Sequence, residues 1–90
     1  MHPNRLLRYR LTLLLHDRRR PMSVRELVDD MQRTEVRLRG RPSKVVSDAL
    51  QWEIRKRRVV RCGRSLYRTG VIPRSTLWWL RERVRDREPV

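Results

Sequence analysis

The chain holds one cysteine, two histidines, three glycines and no phenylalanine among its 90 residues. Each scarcity excludes a class of chemistry. Cys62 has no partner for an internal disulfide, and its expected role is structural rather than reactive. With only His2 and His16 beside it, the thiolate and imidazole sets that hold metals are missing, so no metal and no cofactor is expected. Three glycines leave no Gly-rich loop to cradle a phosphate. Paired carboxylates in an apolar setting and a readable Ser/His/Asp or Cys/His set are missing as well. The adjacent His16 and Asp17 alone carry no catalytic claim, and an enzyme is not expected. No apolar run approaches the ~20 residues that cross a bilayer. Leucines 13–15 are far too short a run, and the N-terminal residues lack a signal-peptide layout. The expected location is the cytoplasm, or the nucleoid within it.

What the chain has in excess is positive charge. It carries 24 Lys and Arg against 10 Asp and Glu, a net +14. Such a field favours polyanions, and nucleic acid is the commonest one inside a cell. Arginine supplies 22 of the 24. Its fork suits phosphate and guanine edges, but a GC-rich genome also enriches arginine, so the ratio by itself says little. Position says more. Residues 41–70 contain nine basic and two acidic side chains, whereas residues 24–40 contain four of each. A uniformly charged surface would not divide this way.

Ninety residues suit one small domain, its core built from leucine, valine and tryptophan. The first element reads as a helix over about 4–17. Arg5, Arg8, Thr12 and His16 form a polar stripe, and six leucines cover an apolar arc wide enough for both the core and a second subunit. "PMSVRELVDDM" marks a second helix over about 24–33. Ser23 and Glu26 make a capping box, with Met22 and Leu27 as its hydrophobic staple. "RTEVRLRGR" reads as a further turn of this helix followed by a loop through Gly40. Pro42 suits a first helical position, and the third helix is expected over 42–57. Its buried arc is Val45, Val46, Ala49, Leu50 and Ile54. Glu53 falls on that buried side and needs a cationic partner, for which Arg10 or Arg68 is available. "RVVRCGRSLYRTG" reads as a hairpin with strands at Val59-Val60 and Leu66-Tyr67 and a turn at Gly63-Arg64; two registers remain open. The last helix is expected over 74–88, with Leu77, Leu80 and Val84 inward, Trp78 to one side and Trp79 opposite.

Three helices followed by a basic hairpin resemble a winged helix-turn-helix domain over roughly residues 5–70. "SVRELVDDM" looks like its second helix, "RPSKVVSDALQWEIRKRR" like its recognition helix and "VVRCGRSLYRTG" like its wing. Pro42, Val46 and Leu50, followed by a hydrophobic strand and "GRSLYR", are particularly similar to winged-helix modules of the HARE type. Small dimeric winged-helix regulators, which add a terminal helix for pairing, share the layout. The connection "RTEVRLRGR" is longer than the usual three- or four-residue turn. The expected fold is mainly α with a small β-hairpin: a winged-helix core over 4–71 and a C-terminal helix over 72–90, within a single domain.

A helix of this kind fits the major groove, where outward side chains meet base edges. Those side chains would be Lys44, Ser47, Asp48, Gln51 and Arg55. Gln51 suits adenine; Asp48 suits either cytosine or a local ion pair. The helix start around Ser43 offers free N–H groups to a phosphate. Arg41, Arg57, Arg58, Arg61, Arg64 and Arg68 are the candidates for phosphate or minor-groove contact. The expected function is double-stranded DNA binding by a transcriptional regulator or nucleoid-associated factor. A homodimer is expected through Leu77, Trp78, Trp79, Leu80 and Val84, assisted by the first helix. The competing expectation is a protein-interaction module that docks on an acidic partner of the transcription machinery, with Trp79 as an anchor.

Overall fold

The computed structural model describes residues 4–34, 38 and 40–87, without the side chains of 86 and 87. The expected extra turn after the second helix falls at 35–37, and the expected last residue of the fourth helix at 88; both lie outside the described residues. The order of elements is α1 (Arg5–Arg18), β1 (Met22–Ser23), α2 (Val24–Arg33), α3 (Pro42–Arg55), β2 (Val59–Gly63), β3 (Leu66–Thr69) and α4 (Arg74–Arg87). The protein is thus mainly helical, with a three-stranded antiparallel sheet in the order β1-β3-β2.

Local signals explain three helix starts. Asn4 Oδ1 accepts from Leu6 N at 2.8 Å and caps α1. Both halves of the capping box form at α2: Glu26 N donates to Ser23 Oγ at 3.1 Å, and Ser23 N donates to Glu26 Oε1 at 3.2 Å. The Arg20 guanidinium, more than the Ser23 N–H, holds the Glu26 carboxyl below its usual range. Pro42 opens α3, where its missing donor costs nothing.

The three-helix core closes around Leu7, Leu11 and Leu15 of α1, Leu27 and Met31 of α2, and Val46, Ala49 and Leu50 of α3, with Val59 and Tyr67 from the sheet. Val45 and Ile54 are only half-buried and flank this core. The fourth residue of the buried face of α3 is Glu53.

Three expectations are corrected. First, the strand pair is part of a larger sheet. Met22 pairs with Tyr67 and Ser23 with Leu66, which makes residues 22–23 a strand as well as the lead-in to α2. Second, the turn sits one residue later than Gly63-Arg64. Gly63 pairs with Leu66, a bulge falls between Arg61 and Gly63, and Ser65 takes left-handed backbone at φ 53°. The extra residue in the bulge shifts the register. Third, Arg8 and Thr12 of the supposed polar stripe are buried. The second apolar side of α1 meets α4 of the same chain. There Leu13 and Leu80 are buried, the Tyr9 and Trp79 rings meet edge to face at 5.3 Å, and Arg81 holds Asp17 at 2.7 Å.

Candidate nucleic-acid interface

The sequence-derived reading face lies along the outer side of α3. Lys44, Asp48, Gln51 and Arg55 are exposed and Ser47 is half-buried. Their spacing of three and four residues makes one stripe. Lys44 Nζ sits 3.1 Å from Asp48 Oδ2, so these two neutralise each other along the helix. Asp48 therefore takes the local ion-pair role. Gln51 is left as the central neutral donor and acceptor, with Arg55 one turn further on. The Arg55 guanidinium lies 5.6 Å from the Trp52 ring centre, and Arg8 approaches the same ring at 5.4 Å. Cation–π contact of this kind limits the rotamers of a long side chain. Trp52 was not singled out in the sequence, although the i, i+3 spacing of Trp52 and Arg55 signals the contact.

At the start of α3, Arg41 is the N-cap residue, and its side chain makes no capping hydrogen bond. Arg41 and Ser43 are exposed there. At the other end, α3 stops in a left-handed turn. Arg57 has φ 62°; its N–H reaches Ile54 O at 2.9 Å, and Arg58 N–H reaches Glu53 O at 3.0 Å. This double bond is a Schellman motif, and its left-handed position is one that glycine ordinarily fills. Arginine there pays a steric cost that glycine does not.

Beyond this turn, Arg61, Arg64 and Arg68 are exposed on the β2–β3 hairpin. Arg61 Nε donates to Gly63 O at 3.3 Å and Arg68 Nη1 to Thr69 O at 3.1 Å, both exposed bonds that a stronger acceptor can replace. Cys62 is exposed in the bulge, with Sγ 3.7 Å from Leu66 O, so no burial supports the structural role expected for it.

Arg58 does not belong with these. Its Nε and Nη2 donate to the two oxygens of Glu53 at 2.9 and 3.1 Å. The same carboxylate accepts from Thr12 Oγ1 at 2.6 Å and faces Arg8 Nε at 3.9 Å. Glu53 is wholly buried. Its partners are Arg58, Thr12 and Arg8, in place of the Arg10 or Arg68 that the sequence suggested. Thr12 of α1 thus hydrogen-bonds Glu53 of α3, whereas the buried Arg8 Nε faces the carboxylate without a hydrogen bond, and Arg58 is engaged within the chain.

On α4, the surface expected to meet a partner is reduced. Leu80 is fully buried within the chain, and Leu77 and Val84 are half-buried. Trp79 meets the edge of Tyr9 and carries the Arg83 guanidinium 4.9 Å from its ring, and is 37% exposed. Trp78 is the tryptophan that faces outward, 65% exposed.

Among the described residues, no group of three or more His, Cys, Asp and Glu gathers as a metal would require. No helix there is long and apolar enough to cross a membrane. Comparison with protein-family models, with curated proteins and with solved structures returned no significant match.

Proposed function

We propose that this chain is a winged-helix module that binds double-stranded DNA, acting as a transcriptional regulator or nucleoid-associated factor. The observation that carries this reading is the sheet. A short strand between α1 and α2 pairs with β3, so that three helices lean on a three-stranded sheet whose outer two-strand loop is arginine-rich. In this reading α3 enters the major groove with Gln51 and Arg55 toward base edges, and the Lys44–Asp48 pair opens when a phosphate or base competes for it. Arg41, Arg57, Arg61, Arg64 and Arg68 meet phosphates or the minor groove. The neutral 24–40 stretch, which includes all of α2, takes no part.

Binding measured across a salt series on random duplex, single strand and RNA tests this. Duplex is expected to bind tightest, with log K falling by about 0.9 per log salt for each phosphate engaged. Equal or tighter binding to single strand would sink the proposal. Selection from a random duplex pool then separates sequence-specific from shape-driven binding.

We further propose a homodimer through the outer face of α4, centred on Trp78. In an antiparallel pairing about that residue, Arg74 of one copy faces Glu82 of the other, twice over, which is the self-complementarity a two-fold axis demands. Sedimentation is expected to show a dimer that Trp78→Ala dissociates. Only monomer at roughly tens of micromolar would remove this claim and leave the exposed Trp78 face to an acidic protein partner.

A further inference from the structure

Both ends of the β2–β3 hairpin converge on one residue. Arg58 N–H donates to Glu53 O at 3.0 Å, and Gly70 N–H donates to Arg58 O at 2.9 Å. A side chain on Gly70 would lie 2.5 Å from Arg57 O, an approach that only glycine permits. The Arg58 side chain then returns to the Glu53 carboxylate in a two-bond fork. Glu53 belongs to α3, and its carboxylate is also held by Thr12 of α1.

We propose that Glu53 and Arg58 form a positioning clamp, fixing the hairpin relative to α3 so that Arg61, Arg64 and Arg68 meet a duplex as a pre-oriented set. The physical reason is entropic. A hairpin free to swing at its root must be ordered when its arginines engage, and that ordering subtracts from affinity. A buried fork between a carboxylate and a guanidinium resists both sliding and rotation, which a single bond does not. Pairing with β1 and the burial of Val59 and Tyr67 tie the hairpin to the body of the domain, and the fork adds a direct side-chain tie between the root of β2 and α3. Neither Glu53 nor Arg58 touches nucleic acid in this account; they act through the residues they place. The inference rests on the DNA-binding reading for its purpose but not for its geometry.

Two measurements test it. In the free wild-type protein, backbone relaxation is expected to give hairpin residues 59–69 order parameters as high as those of α3, near 0.85. Values below about 0.6 throughout the hairpin overturn the clamp, whatever the protein binds. The second measurement is a double-mutant cycle on duplex binding with Arg58→Lys, which keeps the charge and loses the fork, and Arg64→Ala at the hairpin turn. In the wild-type background Arg64→Ala is expected to reduce the salt slope by about 0.9. In the Arg58→Lys background the reduction should be less than half of that, because a hairpin loosened from α3, though still paired with β1, no longer holds Arg64 against the same phosphate. A merely structural Arg58 lowers the folded fraction and leaves that increment intact, so equal reductions in both backgrounds overturn the proposal. Glu53→Asp, which keeps the charge but shortens the reach, should reproduce the Arg58→Lys result and replaces it if Arg58→Lys does not fold. Absence of duplex binding by the wild type would refute the proposed function instead, and the relaxation measurement would still decide the clamp.

Discussion

Glu53→Ala is expected to destabilise the fold by about 3–5 kcal/mol, the usual consequence of removing one partner from a buried ion pair. A domain of this length has roughly 5–13 kcal/mol in total, so this single change removes a large share of it. The loss comes from what is left behind. The Arg58 side chain is 14% exposed and that of Arg8 9%, and both would lose the carboxylate that faces them. Thr12 would lose its carboxylate acceptor as well, although its single hydroxyl proton can turn to Arg8 O, 2.9 Å away, and so stays satisfied. Denaturant unfolding measures the effect, and a variant within about 1 kcal/mol of wild type would show that water or rearrangement replaces the carboxylate. The control is to remove the whole set. Arg8→Met, Thr12→Val, Glu53→Leu and Arg58→Met together should cost far less than Glu53→Ala, or even stabilise, because no charge is then stranded. If the quadruple variant is stable but binds duplex poorly, the cluster serves placement more than stability.

This cluster marks where the sequence was legible and where it was not. That Glu53 lies on the buried side of α3 follows from its spacing to Val46, Ala49 and Leu50 alone. Its partners do not follow, because Arg8 and Thr12 read as a solvated stripe. A helix wheel ranks residues by polarity, and three polar groups that bury one another on two different helices look the same as three exposed ones. The capping box of α2 lies at the opposite extreme. It is local, spans four residues and forms as expected. The strand β1 was hidden for a different reason: two residues have no period, and its pairing with β3 joins positions some 44 apart in the chain. The hairpin itself was visible, but a bulge moves its turn by one residue, which alternation of polarity cannot detect.

The candidate interface divides in the same manner. Exposure of Lys44, Gln51 and Arg55 was legible from periodicity, since the opposite face of α3 is apolar. Which arginines are free was not. Arg57 and Arg58 are neighbours of identical type, yet one is exposed in a left-handed turn and the other is locked onto Glu53. Nor could the two tryptophans of α4 be told apart, because their roles depend on where α1 lies. Tyr9 gives Trp79 a partner within the chain, and Trp78 is left the more exposed of the two.

Replacing Arg41, Arg57, Arg61, Arg64 and Arg68 together by Gln is expected to lower the salt slope of duplex binding by about 4.5, which at about 0.1 M salt corresponds to a roughly 10⁴-fold loss of affinity if each meets one phosphate. The protein should still fold, since all five are exposed and none takes part in the Glu53 cluster. An undiminished slope would mean that the charge excess is general and the hairpin is no DNA contact. Arg58→Gln should behave in the opposite way, with stability falling first. Arg57 is the most informative member of the set. Its φ of 62° favours glycine, so Arg57→Gly should raise stability by about 0.5–1 kcal/mol while it removes one phosphate contact. Stability and affinity are then expected to move in opposite directions at one position. If Arg57→Gly gains stability with no loss of duplex affinity, the side chain at the junction of α3 and the hairpin meets no DNA.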